Sequence, residues 1–227
     1  MEQLGRKPRV LISVPAKPPF INKLLVHRLL LMSHDPRIDW KIILPTWVPW
    51  EHAQNRVVVD FLEGECDFWV SIDADQSPEG NPIDLVFLNC DVVGMPTPVW
   101  HNEKPEDWPI YYNAYHKVEG GYRPVQGREC HGLVEVDCIG GGSFVVARRV
   151  LERIAPPWFE RRYDNQGLVA LGPDFSFCEK VRKVGFSIFA HYGYPSKHFN
   201  LLELNEVQRE LIKVKEGVGV VSCEASG

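Results

Sequence analysis

The sequence predicts an α/β fold in which a mostly parallel central sheet is flanked by helices, with a small antiparallel excursion in the middle of the chain. Over the first hundred residues, short runs rich in β-branched residues alternate with segments of helical apolar spacing. Such alternation is typical of parallel strands joined by covering helices. Residues 100–128 break the pattern, because they are rich in aromatics, proline and glycine and have no helical period.

Each element of the first half has its own pattern. The first strand, 10–14, consists of apolar and small residues and ends at Pro15. Residues 21–32 carry apolar side chains at helical spacing until the sequence Ser-His-Asp-Pro ends the helix. The alternation continues with a strand at 40–45, a helix at 51–62 and strands at 68–72 and 92–94.

The second half contains longer irregular stretches. Strands within 109–118 belong either to a substrate-facing excursion or to a surface meander. The later pattern indicates a strand at 132–136, helices at 147–154 and 174–184, and a strand at 186–190. No repeat or linker divides the chain, so we predict a single domain over residues 1–200, followed over 201–227 by a C-terminal helix and a loose tail.

Composition limits the classes of partner and compartment. The 25 Lys and Arg residues against 30 Asp and Glu give a net charge of −5, which provides no general attraction to a polyanion. No apolar stretch approaches the roughly 20 residues that span a bilayer, and the N-terminus lacks a signal-peptide core. The six cysteines form no CxxC pair, which disfavours a zinc site or a disulfide scaffold. We therefore expect a cytoplasmic protein, located in the host cytoplasm if it is phage-encoded.

The most informative local motif is Asp73-Ala74-Asp75, directly after the strand 68–72. Ligands of open α/β sheets bind at the carboxyl ends of the strands, so these two carboxylates lie where a substrate arrives. Two carboxylates one residue apart can face a hard divalent cation, and Mg²⁺ or Mn²⁺ is commonly shared with substrate phosphates. The simpler alternative is an acidic loop that only solvates the strand end.

The order of several segments resembles the GT-A fold of nucleotide-sugar glycosyltransferases, in particular the compact bacterial or phage type. The resemblance extends over residues 8 to 200. Its parts are a base-binding first strand, an Arg-containing helix, a strand that ends in DxD, a glycine-containing acceptor-side segment, an acidic motif before a helix, and a strand followed by a histidine. In this sequence they correspond to 11–15, 53–56, 69–75, 137–149, 171–178 and 185–189 with His198.

This resemblance implies a metal site and a catalytic carboxylate. Asp75 and His198 would hold the metal, and Asp73 would reach it through water or contact the donor ribose or sugar. An imidazole ligand favours Mn²⁺ over Mg²⁺, and His191 is the rival to His198. Asp174 would be either the general base of an inverting displacement or only a cap of its helix. A retaining mechanism needs no such base, and the family often has a second acid where Pro173 stands.

The donor implied is a UDP- or GDP-sugar, and the acceptor is a hydroxyl group of a glycan, a lipid-linked sugar, a protein or a modified nucleobase. The glycine run would allow close approach of substrate, or would form a plain turn. The residues expected to bind the nucleotide sugar are Ser13, Val14, Pro15, Arg56, Asp73, Ala74, Asp75, Gly141 and Gly142.

Two other functions remain open at this point. Sugar-phosphate nucleotidylyltransferases have a related sheet and use carboxylate-held metal, but they carry a glycine-rich basic signature after the first strand, where residues 15–19 have no glycine. A noncatalytic nucleotide- or glycan-binding module on the same fold would bind a donor without transferring its sugar.

Overall fold

The computed structural model describes residues 6–16, 21–100 and 110–199, so the helix and tail predicted over 201–227 lie outside the described residues. The helices are α1 (Lys23–Ser33), α2 (Trp50–Glu63), α3 (Ile83–Val86), α4 (Arg148–Arg153) and α5 (Pro173–Lys183). The strands are β1 (Arg9–Ser13), β2 (Asp39–Ile43), β3 (Phe68–Ile72), β4 (Gln76–Pro78), β5 (Val92–Gly94), β6 (Pro98–Trp100), β7 (Ile110–Tyr112), β8 (Ala114–Val118), β9 (Gly121–Pro124), β10 (Leu133–Val136), β11 (Cys138–Ile139), β12 (Ser143–Ala147), β13 (Arg162–Tyr163), β14 (Val169–Leu171), β15 (Ile188–His191) and β16 (Ser196–His198).

Within these described ranges, seven strands form the central sheet in the order β10-β15-β5-β12-β3-β1-β2. Strands β1, β2, β3, β5 and β15 run in one direction, whereas β10 and β12 run against their neighbours. The prediction of a mostly parallel sheet flanked by helices is confirmed. In the described part of the chain, no helix combines the length and apolar character needed to cross a membrane.

The two faces of the sheet carry separate cores because successive strand residues point to opposite faces. On β1, Leu11 joins the core beneath α2, α4 and α5, while Val10 and Ile12 join the core beneath α1 and α3. The first core contains the fully buried Trp69 and Phe144, whose rings pack edge to face at 5.1 Å. The rigid sheet therefore gives its strand ends a fixed position.

Strand β12 was not predicted, because its sequence follows the glycine run and was assigned to a segment leading into a helix. All five residues of β12 are buried, and the strand pairs antiparallel with both β3 and β5. The pairing places the glycine run beside the carboxyl end of β3. The N–H of Asp73 there donates to the carbonyl oxygen of Gly142 at 2.7 Å.

Three smaller sheets complete the site region. The antiparallel excursion predicted around 109–118 is present as β7, which pairs with β6, and as β8, which pairs with β9 and β11. Tyr115 of β8 and Tyr122 of β9 pack on Phe175 of α5. The β4–β16 ribbon was not predicted. It pairs His198 with Gln76 and so brings the end of the described chain to the DxD motif.

Candidate active site

A cleft of about 710 Å³ opens at the carboxyl ends of β1 and β3. Its walls are largely apolar, and its polar groups gather at the DxD motif and at one arginine. This size and composition fit a small-molecule ligand. The residues that line it include Pro15, Trp47, Trp50, Asp73, Ala74, Asp75 and Arg161.

Asp75, which lines this cleft, faces His198, which is not one of the lining residues. The imidazole Nε2 lies 3.5 Å from Asp75 Oδ2, and Nδ1 lies 2.9 Å from the carbonyl oxygen of Pro98. A carbonyl can only accept, so Nδ1 carries a proton and Nε2 is directed towards the carboxylate. The neighbouring Asp75 raises the pKa of His198. A proton and a metal ion would compete for the same Nε2 lone pair.

The carboxyl group of Asp73 is held by Trp50, whose indole N–H donates to Oδ1 at 3.2 Å. Although Asp73 keeps partial exposure to the cleft, the surrounding protein removes most water from its carboxyl group. This desolvation raises the pKa of Asp73 to about 8, and the nearby Asp75 adds to the effect. The carboxyl group of Asp73 therefore resists ionisation.

The donor set suits a divalent cation that is only partly bound by protein. Among the described residues, no group of three His, Cys, Asp or Glu side chains is arranged to hold a metal. Asp75 and His198 nevertheless offer one carboxylate and one imidazole nitrogen, and the carbonyl of Pro98 orients the imidazole as in many metal sites. Such a pair fits Mn²⁺ or Mg²⁺ whose remaining positions are taken by phosphate oxygens and water.

Asp174 lies in the first turn of α5, but it is not the N-cap, which is Gly172. Its carboxylate accepts the N–H of Phe175 at 3.0 Å and the N–H of Gly141 at 3.3 Å. Burial raises the pKa of Asp174 despite these two hydrogen bonds. A carboxylate of raised basicity, held by the backbone of the glycine run, is able to accept a proton. Asp174 is near enough to Asp73 to raise the pKa of that residue as well.

The glycine run packs against side chains of the site. A Cβ on Gly142 would lie 1.8 Å from the amide nitrogen of Gln76, and one on Gly141 would lie 2.4 Å from Cη2 of Trp50. Both glycines therefore permit close packing of residues that border the DxD motif. The approach of substrate to this backbone stays a prediction.

The nucleotide-binding residues predicted from the sequence separate into two groups. Pro15 and the DxD residues line the cleft. Ser13 and Val14 are fully buried, and the Ser13 hydroxyl accepts the indole N–H of Trp69 at 2.8 Å. Arg56 does not line the cleft. It lies exposed on α2, with its Nε 3.4 Å from Asp60 Oδ1.

Sequence reasoning missed Arg161, which lines the cleft and pairs with Glu51 at 2.9 Å between Nε and Oε1. It also missed Trp47 and Trp50, although both lie just before residue 51, where this helix was predicted to begin. A tryptophan at the N-terminus of a helix that follows a parallel strand lies near the substrate edge of the sheet, and this position could have indicated both residues. Arg161 stands in an irregular segment that has no comparable signal.

His191, the rival metal ligand, ends β15 away from this arrangement. Its Nδ1 accepts the backbone N–H of Gly193 at 3.1 Å, and its ring packs against Tyr194. Burial lowers the pKa of His191. The side-chain contacts described for His191 are thus with its own turn, whereas those of His198 include Asp75.

Solved structures share this fold. A197 from STIV aligns over 85% of this chain and 86% of its own, with a TM-score of 0.60 and 19% identity. GalNAc-T7 with UDP, GalNAc and Mn²⁺ aligns over 86% of this chain and 44% of its own, with a TM-score of 0.51 and 12% identity. UDP-glucose pyrophosphorylase complexed with UDP-glucose reaches a TM-score of 0.45 at 8% identity, too weak to support an inference. The sequence matches no protein-family model and no curated protein.

Proposed function

We propose that this protein is a metal-dependent glycosyltransferase that moves a sugar from a nucleoside-diphosphate sugar to a hydroxyl acceptor. The observation that carries the proposal is the pair formed by Asp75, which lines a cleft of about 710 Å³, and His198, which faces it with Nε2 3.5 Å from Oδ2. The pair stands at the carboxyl end of β3, where ligands of such sheets bind. GalNAc-T7, which is similar in fold, has been crystallised with UDP and Mn²⁺, which agrees with this assignment.

Asp75 and His198 would hold Mn²⁺, or Mg²⁺, at the diphosphate end of the cleft. When bound, such a cation acts as a Lewis acid that stabilises the negative charge of the leaving diphosphate. Asp73, which accepts the indole N–H of Trp50, would contact the donor ribose or sugar, or reach the cation through water. These are roles of binding and orientation, which lower the barrier by placing the reacting atoms together.

The remaining part of the cleft suits the nucleotide. Trp47 presents an exposed indole at the rim, and Pro15 and Ala74 lie at the strand ends below it. The guanidinium of Arg161 is held by Glu51 and is the cation among the described lining residues. A guanidinium binds phosphate oxygens through two parallel N–H groups, so we assign the diphosphate to Arg161.

Asp174 is the proposed base. In an inverting displacement its carboxylate takes the proton of the acceptor hydroxyl while the hydroxyl oxygen bonds to the anomeric carbon. The bond from that carbon to the diphosphate oxygen breaks, and nucleoside diphosphate leaves. The raised pKa of Asp174 brings its basicity closer to neutral pH, which favours this transfer.

The first test is calorimetric titration of the purified protein with UDP and with GDP, each in Mn²⁺ and in EDTA. We expect one of the two nucleotides to bind at least about tenfold more tightly with Mn²⁺, because its phosphates would complete the coordination of the metal. Metal-independent binding of both, or binding of neither, would overturn the proposal.

A second experiment identifies the reaction. The protein is incubated with a panel of UDP- and GDP-sugars and Mn²⁺, and the released products are separated. Release of nucleoside diphosphate with transfer of the sugar supports a glycosyltransferase. Formation of sugar phosphate and nucleoside triphosphate from added pyrophosphate identifies a nucleotidylyltransferase. Tight donor binding without turnover identifies a binding module.

A further inference from the structure

Trp50, the first residue of α2, touches both halves of the site. Its indole N–H donates to Asp73 Oδ1 at 3.2 Å. The six-membered part of the same ring occupies the space beside Gly141, where a Cβ would lie 2.4 Å from Cη2 and 2.6 Å from Cζ2. One side chain therefore contacts the donor-side carboxylate and the acceptor-side backbone.

Two hydrogen bonds of the glycine-run backbone link the surroundings of Asp73 to those of Asp174. The N–H of Asp73 donates to the carbonyl of Gly142 at 2.7 Å, and the N–H of Gly141 donates to the Asp174 carboxylate at 3.3 Å. A shift of the indole would thus displace the Asp73 carboxyl group and also the glycine that holds Asp174.

The indole is itself held by the core. Its ring meets the buried ring of Phe159 edge to face at 5.5 Å, and Phe159 stacks on Phe177 at 4.5 Å. Phe177 belongs to α5, the helix that begins beside Asp174. The ring lines the cleft on one side and rests on rigid packing on the other, so its position is well defined.

We propose that Trp50 is a positioning residue that fixes the carboxyl groups of Asp73 and Asp174 relative to each other, so that donor and acceptor are held in a single arrangement. The roles of those two carboxylates rest on the proposed function, whereas the contacts of Trp50 do not. A misplacement of about 1 Å at a reacting centre can lower a rate by about 100-fold. The proposal therefore predicts that loss of the indole affects turnover more than nucleotide affinity.

The contact with Asp73 is tested by ¹⁵N spectra of the tryptophan indoles. In Asp73→Ala, the N–H resonance of Trp50 should move upfield because its acceptor is lost, while those of Trp69 and Trp158 stay in place. The indoles of these two reference residues are bound elsewhere, to Ser13 and to the carbonyl of Leu151. An unchanged Trp50 resonance would overturn the proposal, whether or not the protein binds UDP.

The positioning role is tested with Trp50→Phe, which keeps an aromatic ring but removes the indole N–H. We expect release of nucleoside diphosphate from the preferred donor to fall at least about tenfold in kcat, while the Kd for that nucleoside diphosphate with Mn²⁺ changes by less than about threefold. Trp158→Phe is the matched control, since it also loses one buried indole hydrogen bond in the same core. Equal effects of the two substitutions would show that Trp50 only packs.

A double-mutant cycle separates positioning from general destabilisation. If Trp50 acts through Asp73, then Asp73→Asn should lower kcat much less in the Trp50→Phe background than in the wild-type protein. Simple multiplication of the two effects would contradict the proposal. If the wild-type protein binds no nucleotide with Mn²⁺, the proposed function fails. The indole spectra then still test whether Trp50 donates its hydrogen bond to Asp73.

Discussion

The carboxylate of Asp75 and the imidazole of His198 meet across the β4–β16 ribbon, with 3.5 Å between Oδ2 and Nε2. The imidazole cannot turn away without losing its hydrogen bond to the carbonyl oxygen of Pro98. The backbone adds to this fixation, because the N–H of Phe199 donates to the carbonyl of Asp75 at 2.8 Å. The two side chains are therefore preorganised, which is what a metal site requires of its protein ligands.

Substitution of Asp75 should remove the metal dependence of nucleotide binding. For Asp75→Asn we expect the enhancement of UDP affinity by Mn²⁺ to fall at least about tenfold, because an amide is a weaker ligand than a carboxylate. The free energy of unfolding should change by less than about 0.5 kcal/mol, since the side chain is 56% exposed. Calorimetry in Mn²⁺ and in EDTA, together with urea unfolding, measures both effects.

Glu79→Gln provides the control for that experiment. Glu79 is a half-exposed carboxylate that follows the same ribbon and lies 3.5 Å from Lys197. It should leave the Mn²⁺ enhancement unchanged. An equal loss in both variants would mean that the charge of the region, rather than a ligand, supports binding.

The contrast between Asp75 and His198 shows what the sequence can and cannot predict. Asp75 follows a buried five-residue strand, so pattern alone places it at the substrate edge. His198 belongs to a three-residue strand whose partner is distant in sequence, and such a short ribbon has no periodicity of its own. Only the family resemblance indicated His198, and pattern could not have paired it with Gln76.

Strand β12 and Arg161 were missed for different physical reasons. The five buried residues of β12 form a short apolar run, which periodicity does not distinguish from the start of a helix. Arg161 reaches the cleft from an irregular segment through a pair with Glu51, and pairings of this kind depend on tertiary structure. The antiparallel position of β12 likewise follows from sheet assembly, which local patterns do not encode.

Alanine substitutions of Arg161 and Arg56 should weaken nucleotide binding to different extents. We expect Arg161→Ala to weaken UDP binding about tenfold, because its guanidinium lines the cleft. Arg56→Ala should have the smaller effect, since Arg56 is exposed and pairs with Asp60 in the next helical turn. Titration of both variants in Mn²⁺ ranks them. A larger loss in Arg56→Ala would favour the assignment implied by the family resemblance.

Gly142→Ala should distort the support of the DxD motif. The added Cβ would lie 1.8 Å from Gln76, which is buried and directly follows Asp75. Overpacking of this kind costs about 1–3 kcal/mol, so unfolding in urea should occur at a lower concentration. Gly64→Ala is the milder comparison, because its Cβ would lie 3.3 Å from the carbonyl oxygen of Asp60, a tight contact rather than an overlap. Similar stability losses in the two variants would contradict the packing inferred at Gly142.

Asp35 should make stability depend on pH in the acid range. Arg37 lowers the pKa of Asp35 from 3.8 to about 2, with a further hydrogen bond from Asn81. A lowered pKa contributes stability that is complete above about pH 5 and is lost as the pH falls towards 2. Asp35→Asn should therefore lower the free energy of unfolding by about 1–2 kcal/mol at pH 7, a value reduced for the exposure of Arg37.

Urea unfolding between pH 7 and pH 3 checks this prediction for Asp35. The difference between wild type and Asp35→Asn should be constant down to about pH 5 and then shrink. Glu65→Gln, which removes an exposed partner of Arg9, should cost less than about 0.5 kcal/mol throughout. A difference for Asp35→Asn that grows as the pH falls would have the wrong sign for a lowered pKa.

Asp174→Asn should separate binding from chemistry. The amide cannot accept the acceptor proton, so UDP release from the preferred UDP-sugar should fall about 10²–10⁴-fold, while the Kd for UDP with Mn²⁺ stays within about threefold. Burial raises the pKa of Asp174, so in the wild type the rate should decline on the acid side as this base becomes protonated, at a higher pH than an exposed Asp would give. The residual rate of the variant should not show this decline at low pH.

Asp164→Asn is the control, because Asp164 also accepts two backbone N–H groups but lies exposed in the β13–β14 turn. Full activity of Asp174→Asn, with the anomeric configuration of the donor retained in the product, would instead assign the proton to the leaving phosphate and leave Asp174 a structural role at the start of α5.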